Sequence, residues 1–181
     1  MFGAIPVKPD DVGTVTVIED FISPGEETEL LQHIEAALPI VNAPKNHVQR
    51  NIVQRWGSSV PYYTSVVSPI IPDYFQFLFD RLVAHAHVPM RPDSITLNQY
   101  LKKQAILAHI DDPKAGSVIT VLSLLTPATM VFRQEQREFS VDLPPRSLVQ
   151  MRDEIRYNWT HEILPVTAKR YSLVFRNSQE K

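Results

Sequence analysis

The chain has 181 residues, of which 44% are hydrophobic and 21% charged, a composition typical of a folded globular protein and not of a disordered one. The formal net charge of −2 gives no overall electrostatic argument for nucleic-acid binding, so any basic surface must be local. The chain contains no cysteine, which excludes disulfides, thiolate metal sites and cysteine nucleophiles and fits an intracellular, cytoplasmic protein.

The chain shows no sign of export or membrane insertion. Its start, MFGAIPVKPDDVG, lacks the charged and apolar regions of a signal peptide, and no apolar run approaches the roughly 20 residues of a membrane span. A chain of this length suits one domain with a sizeable core, and no repeat or low-complexity segment divides it. We therefore expect a single domain over residues 1–181 and no membrane partner.

The N-terminal part is predicted to contain a strand and two helices. The segment TVTVIEDFI, residues 14–22, predicts a short strand. A helix should follow it, because Ser23 can cap the helix, Pro24 suits the first helical position and Glu26 completes a capping box. The segment PDYFQFLFDRLVAHA predicts a second helix, whose buried face is expected to carry Phe75, Leu78, Phe79 and Leu82.

After Pro92 the pattern becomes that of strands and stays so to the end. The predicted strands are short and rich in β-branched or aromatic residues: SITLNQYL, SVITVLSLL, TMVFRQ, REFSVDL, SLVQMR, YNWTHEIL and KRYSLVFR. Short strands at this spacing indicate a sandwich or barrel. We therefore predict a mainly β, α+β protein in which N-terminal helices support a β core of residues 93–177.

Polar side chains recur at every second position of several predicted strands, so their members share a strand face. Burying such groups is costly unless each has a partner, and four polar faces on four strands therefore indicate a site. The sets are Asn98 with Tyr100, His109 with Asp111, Tyr157 with Trp159 and His161, and Arg170 with Ser172 and Arg176.

His109, Asp111 and His161 are predicted to bind a metal ion. Two imidazoles and one carboxylate on one side of a metal form the facial triad of non-haem Fe(II) oxygenases. The other positions of the metal are open in such a triad, which admits a 2-oxo acid and dioxygen.

The far carboxylate of a 2-oxo acid requires a cation inside the core. An arginine can hold it through a bidentate pair, and Arg170 or Arg176 is the candidate. The Tyr100 hydroxyl and the Asn98 amide are predicted as further donors.

Four segments resemble the AlkB-like Fe(II)/2-oxoglutarate dioxygenases in sequence and order: NQYLKKQAILAHIDD, VLSLL, DLPPRSLVQMRDEIRYNWTHEI and RYSLVFR. The resemblance implies a double-stranded β-helix (jelly-roll) core that uses Fe(II), 2-oxoglutarate and dioxygen. It implies that Arg176 grips the far carboxylate of 2-oxoglutarate and that Arg170 lies near the iron. The implied iron ligands are His109, Asp111 and His161, and the implied 2-oxoglutarate contacts are Asn98, Tyr100, Arg170, Ser172 and Arg176.

Within this family, LPPRSLVQMRDEIRYNWTHEI is most similar to the branch of the eighth AlkB homologue, which hydroxylates a modified wobble uridine in tRNA. VQRNIVQRWG resembles part of the nucleotide-recognition lid, so residues 1–92 are expected to supply helices and lid. Pro113 stands where the founding DNA-repair member has an acidic, base-reading residue, which disfavours direct DNA repair. The animal members also carry RNA-recognition and methyltransferase domains, so separate partners with those functions are expected.

A flipped nucleotide needs aromatic faces for stacking and cations for its phosphates. Trp56 has an ordinary alternative as a core or lid-packing residue, and Lys102–Lys103 has one as a solvated turn. The stacking candidates are Trp56, Tyr62 and Tyr63, and the phosphate candidates are Lys45, Arg50, Arg55, Lys102 and Lys103.

Three functions follow from this reading. The first is an oxygenase that acts on nucleic acid, by tRNA hydroxylation or by demethylation of a base in RNA or alkylated DNA. The second is the same oxygenase acting on a protein or small molecule. The third is a non-catalytic jelly-roll binding protein, which the complete triad and the two arginines disfavour.

Overall fold

The protein is described by a computed structural model that covers residues 4–7, 15–37, 52–58, 69–86 and 88–177. None of the helices in these ranges has the length and apolar composition of a membrane span. The helices are α1 (Pro24–Ala37), α2 (Gln76–His85) and α3 (Asp153–Asn158), with 3-10 turns at Asp73–Phe75 and Pro113–Ala115. The strands are β1 (Ala4–Val7), β2 (Val15–Ile18), β3 (Ile52–Gly57), β4 (Ser94–Tyr100), β5 (Ile106–His109), β6 (Ile119–Leu124), β7 (Ala128–Gln134), β8 (Arg137–Leu143), β9 (Leu148–Met151), β10 (Thr160–Ile163) and β11 (Arg170–Arg176).

The strands form two antiparallel sheets. The larger sheet has seven strands in the order β1-β2-β9-β6-β11-β4-β3, and the smaller has four in the order β5-β10-β7-β8. Neighbouring strands in both sheets are antiparallel. The expected mainly β fold is confirmed, and it is a double-stranded β-helix in which α1 and α2 pack against the larger sheet.

Local sequence determines where α1 begins. The Ser23 backbone N–H donates to the Glu26 carboxylate at 2.7 Å, and the Glu26 N–H donates to Ser23 Oγ at 3.2 Å. These two reciprocal bonds satisfy backbone donors that a helix start leaves free. The predicted capping box is therefore confirmed.

Both faces of the larger sheet are buried, and alternate side chains of β11 pack into two different core clusters. Leu173 and Phe175 pack in a cluster with residues of α1 and α2, and Phe175 meets Phe79 edge-on at 5.8 Å. Val174 belongs to a second cluster, between the two sheets. Because side chains alternate along a strand, Arg170, Ser172 and Arg176 share the face of Val174. The polar face of β11 thus lies between the sheets.

One segment differs from the sequence-based expectation. YNWTHEIL was expected to be one strand with Tyr157, Trp159 and His161 on one face. Instead α3 ends at Asn158 and β10 begins at Thr160, so His161 alone of the three lies in a strand. Acidic Asp153 and Glu154 in the first turn favour the helix. Ile52–Gly57, which the resemblance places in part of the lid, pairs with β4 as an edge strand of the larger sheet, and its role as a lid stays a prediction.

Candidate active site

A cavity of about 590 Å³ lies between the two sheets. This volume falls within the range of small-molecule sites, roughly 300–1,000 Å³. The larger sheet lines it through β3, β4, β6 and β11, and the smaller sheet through β5, β7 and β10. His109, Asp111 and His161 all lie on its wall.

The three predicted metal ligands converge although they come from different segments. His109 ends β5 and pairs directly opposite His161 on β10, and their ring centroids are 4.4 Å apart. Asp111 follows β5, two residues after its end. One ligand atom from each residue lies within 4.8 Å of the others, and His161 Nε2 is 3.7 Å from Asp111 Oδ2. Two donors that each bind one metal at about 2 Å lie at most about 4 Å apart, a limit that the 3.7 Å pair of His161 and Asp111 satisfies.

Hydrogen bonding leaves one atom of Asp111 and one of His109 available to a metal. Asp111 Oδ1 accepts from Arg176 Nη2 at 2.6 Å, whereas buried Oδ2 finds no hydrogen-bond partner among the described residues. His109 Nδ1 lies 2.9 Å from the Leu107 carbonyl oxygen, to which it donates. In the neutral tautomer that makes this bond, Nε2 of His109 carries the free lone pair and is the atom that can bind a metal. The residues present therefore fit a divalent ion.

The electrostatics give the ligands the charges that a metal requires. Burial acts to raise the pKa of Asp111, but Arg176 and His161 outweigh it and lower the pKa to about 2. Burial lowers the pKa of His161 to about 4, although Asp111 opposes that shift. At neutral pH the site thus offers a carboxylate and a neutral imidazole, which are the metal-binding forms.

Next to the triad lies a buried polar cluster of Asn98, Tyr100 and Ser172, all three on the cavity wall. Asn98 pairs opposite Ser172 in the sheet, and its Nδ2 donates to Ser172 Oγ at 3.4 Å. The Tyr100 hydroxyl is 3.5 Å from the same Oγ. The structure thus brings together three of the residues predicted to contact 2-oxoglutarate.

Arg170 is fully buried beside this cluster, and its charge lacks an acidic partner within hydrogen-bonding reach among the described residues. Its guanidinium lies over the Tyr100 ring at 4.9 Å, and Nη2 donates to Ser123 Oγ at 2.9 Å. Nε and Nη1 find no acceptor in the described part of the chain, and burial lowers the pKa of the group. Buried donors are almost always paired, so two open ones on one cation fit a carboxylate of 2-oxoglutarate.

The two arginines lie in the reverse of the expected order. Arg176 was expected at the far carboxylate, yet it bonds to the ligand Asp111 and to Thr96 Oγ1 at 3.0 Å. Arg170 was expected near the iron, yet it lies six residues earlier on β11, opposite Tyr100. A strand rises about 3.3 Å per residue, so roughly 20 Å of strand separates the two. Arg176 is the arginine at the metal end.

The structure tests some of the substrate-binding predictions. Arg55 and Trp56 on β3 line the cavity. Trp56 is 4% exposed and its ring lies 5.3 Å from that of Phe75, between centroids, in the cluster that α1 and α2 share with the larger sheet, which fits the core-packing alternative. Lys102 and Lys103 form an exposed turn after β4 and are not among the residues that line the cavity, which fits the solvated-turn alternative. Lys45, Arg50, Tyr62 and Tyr63 lie outside the described residues.

Sequence reasoning missed two residues at the site. Asp112 lines the cavity and caps the 3-10 turn after it, accepting from the Lys114 N–H at 2.8 Å. Arg156, 2% exposed, lies on α3 and donates to backbone carbonyls beside the ligand Asp111. Carbonyl acceptors have no sequence signature, and residues 153–156 fall between the predicted strands SLVQMR and YNWTHEIL, so no predicted element gave a direction to the Arg156 side chain.

Comparisons with known proteins agree with the geometry. The chain is 32% identical over 161 residues to the tRNA (carboxymethyluridine(34)-5-O)-methyltransferase ALKBH8 of Mus musculus, covering 82% of this chain and 24% of that protein. It is 25% identical over 182 residues to a DNA N6-methyl adenine demethylase of Caenorhabditis elegans, covering 93% and 61%. The chain thus spans about a quarter of the first relative and under two thirds of the second.

A solved structure and a family model both match most of the chain. The solved structure of OsALKBH1 superposes with a TM-score of 0.72 at 15% identity, covering 97% of this chain and all of that one. The family model of the 2OG-Fe(II) oxygenase superfamily matches residues 14–178. The chain belongs to the 2OG-Fe(II) oxygenase superfamily and is a dioxygenase that uses Fe(II), 2-oxoglutarate and dioxygen.

Proposed function

We propose that this dioxygenase oxidises a C–H bond of a modified nucleobase in tRNA, through iron held by His109, Asp111 and His161. The observation that carries the proposal is the cavity itself, whose wall includes the three metal ligands, the cationic residue Arg55 and an apolar face that contains Val121, Met130 and Val174. A flipped base requires an aromatic or apolar face, and its phosphates require cations. Both kinds of group therefore share one cavity with the metal ligands.

The chain's residues have distinct tasks in this proposal. Iron and 2-oxoglutarate, when bound, supply the oxidising chemistry. The two imidazoles and Asp111 Oδ2 hold the metal, and Arg176 keeps Asp111 charged through Oδ1. Arg170, with the neighbouring Tyr100 hydroxyl, holds a carboxylate of 2-oxoglutarate. An apolar part of the wall, formed by Val121, Met130, Ile163 and Val174, keeps water away from the reacting groups.

The substrate class is supported by the relatives. The names of both similar curated proteins specify a nucleic acid, a tRNA uridine in one and DNA adenine in the other. Identity is higher to the tRNA-acting protein, 32% against 25%. Because the chain matches only 24% of that protein, the methyltransferase activity in its name is no argument for this chain. Hydroxylation or demethylation of the base is the reaction we infer.

Nucleoside mass spectrometry tests this function. Total tRNA and methylated RNA and DNA oligonucleotides are incubated in air with the protein, Fe(II) and 2-oxoglutarate, and then digested. We expect a modified uridine of tRNA to gain one oxygen, or to lose a methyl group, with the native protein and not with His161→Ala. Unchanged nucleosides in the presence of continued succinate formation would reject nucleic acid as the substrate and favour a protein or small molecule.

Binding provides an independent check. Phosphate contacts make the affinity of a protein for RNA fall steeply with salt. We therefore expect tRNA binding to weaken as salt rises, and binding that is indifferent to salt would contradict the proposed phosphate contacts.

A further inference from the structure

The buried arginine of α3 makes an unusual set of contacts. All three nitrogen atoms of the Arg156 guanidinium donate to backbone carbonyls of one short loop. Nη1 bonds to the Asp111 carbonyl at 3.0 Å, Nη2 to that of Asp112 at 2.6 Å and Nε to that of Gly116 at 3.2 Å. The side chain is 2% exposed, so these bonds replace all of its contact with water. One rigid fork thereby fixes a loop that contains a metal ligand.

Arg156 also connects that loop to the segment carrying another ligand. It lies on α3, and β10 with His161 follows α3 after one residue. Asp111 belongs to the connection after β5, where strand pairing has ended. The separation of 3.7 Å between Asp111 Oδ2 and His161 Nε2 therefore depends on how the loop is held against α3.

The charge of Arg156 and the position of Arg156 have opposite expected effects on metal affinity. The Arg156 guanidinium bonds to the Asp111 carbonyl at 3.0 Å, so its positive charge lies close to the ligand positions. A positive charge near the triad repels a divalent ion. Removing it would tighten metal binding if charge were its only influence, whereas loosening the loop would weaken binding.

We propose that Arg156 is a positioning residue that fixes the main chain of Asp111 against α3 and so sets the metal-binding distance between Asp111 and His161. The inference rests on the proposed assignment of the metal to His109, Asp111 and His161. Residues beyond the ligands typically change metal affinity by about 10–100-fold when they are removed. Losing three charge-assisted bonds to the ligand loop belongs in that range.

The test measures Mn(II) binding to the otherwise metal-free protein, because Mn(II) accepts the same ligands and its free concentration is read by electron paramagnetic resonance. Arg156→Ala is expected to bind Mn(II) about 10–100-fold more weakly than the native protein, still at one ion per chain. Arg156→Lys keeps the charge but loses the fork, and we expect an intermediate affinity. Arg152→Ala and Arg152→Lys are the matched controls, since Arg152 donates to the Ala86 carbonyl at 3.0 Å, away from the loop.

Each outcome decides the inference. Weaker Mn(II) binding by both Arg156 variants, with unchanged affinity in the Arg152 variants, supports it. Affinity equal to or tighter than native in the Arg156 variants overturns it and leaves the metal site intact. Thermal unfolding of the metal-free proteins identifies the variants that fold. If Arg156→Ala does not fold, the Mn(II) affinity of Arg156→Lys alone decides the inference. A native protein that binds Mn(II) no better than His161→Ala overturns the proposed metal site itself, and the inference with it.

Discussion

Replacing Arg170 by methionine separates the stability of the fold from the binding of 2-oxoglutarate. In the structure Arg170 is fully buried, and two of its donors, Nε and Nη1, find no acceptor among the described residues. Methionine has a similar length and no charge, so it fills much of the space without requiring hydrogen bonds. We expect Arg170→Met to keep the stability of the metal-free protein while losing affinity for 2-oxoglutarate.

The expected change in stability follows from opposing contributions. A buried unsatisfied donor costs about 1–3 kcal/mol, so removing two such donors gains about 2–6 kcal/mol. The variant loses stacking on Tyr100, worth about 0.5–2 kcal/mol, and leaves the Ser123 hydroxyl without this donor, at about 1–3 kcal/mol. These contributions nearly cancel. The free energy of unfolding of Arg170→Met should therefore lie within about 2 kcal/mol of the native value, on the more stable side.

The expected loss of binding is much larger. Hydrogen bonds to charged groups contribute about 1.5–3 kcal/mol each, so two of them from Arg170 to a carboxylate contribute about 3–6 kcal/mol. Each 1.4 kcal/mol is about a tenfold change in affinity, which gives roughly a hundredfold to ten-thousandfold weaker binding of 2-oxoglutarate.

Urea unfolding of the metal-free proteins and calorimetric titration of 2-oxoglutarate with Mn(II) present measure the two quantities. Arg176→Met is the matched control on the same strand, because its loss leaves buried Asp111 without the cation that bonds to Oδ1. Breaking such a pair costs about 3–5 kcal/mol, so this variant should be clearly destabilised. Native-like binding of 2-oxoglutarate by Arg170→Met, or its destabilisation by more than about 3 kcal/mol, would refute the reasoning.

Three further predictions concern the capping box, the cavity wall and the core. The Arg81 guanidinium, 2.5 Å from the Glu26 carboxylate, is the main cause that lowers the pKa of Glu26 from 4.5 to about 2. The stability that this pair gives the native protein is therefore present above pH 4.5 and is lost as the pH falls toward 2. In an acid titration of unfolding, Glu26→Gln should lose less stability over that pH range than the native protein does. Arg55→Ala should weaken tRNA binding and reduce its salt dependence, whereas Lys102→Ala should not; equal effects in filter binding would contradict the cavity assignment. Phe79→Ala should lower the free energy of unfolding by about 3–5 kcal/mol, because Phe79 is 1% exposed against Phe175; a loss under 1 kcal/mol in urea would mean that this cluster is loosely packed.

The sequence predicted well those features that depend on residues close together along the chain. The Ser23 and Glu26 capping box depends on residues three apart, and it formed as expected. Period-two spacing placed Arg170, Ser172 and Arg176 on one face of β11, and the buried alternation of its neighbours agrees.

The failures involve tertiary contacts. Arg156 acts through carbonyl oxygens that any residue could supply, so no motif marks it. The segment of α3 is only six residues long, and its apolar and aromatic positions suit a strand as well as a helix. Which of Arg170 and Arg176 lies at the metal end depends on which end of β11 approaches the loop that contains Asp111. The folded structure gives that arrangement, and the sequence of β11 does not.

Whether this protein oxidises tRNA in the cavity that holds His109, Asp111 and His161 is tested most directly by the coupling of 2-oxoglutarate turnover to base oxidation. The measurement counts succinate and oxidised nucleosides in the same aerobic incubation, with and without tRNA, for the native protein and His161→Ala. We predict that tRNA raises succinate formation, that oxidised nucleosides match the added succinate one for one, and that His161→Ala yields neither. Succinate formation that tRNA leaves unchanged, with every nucleoside intact, would contradict the claim.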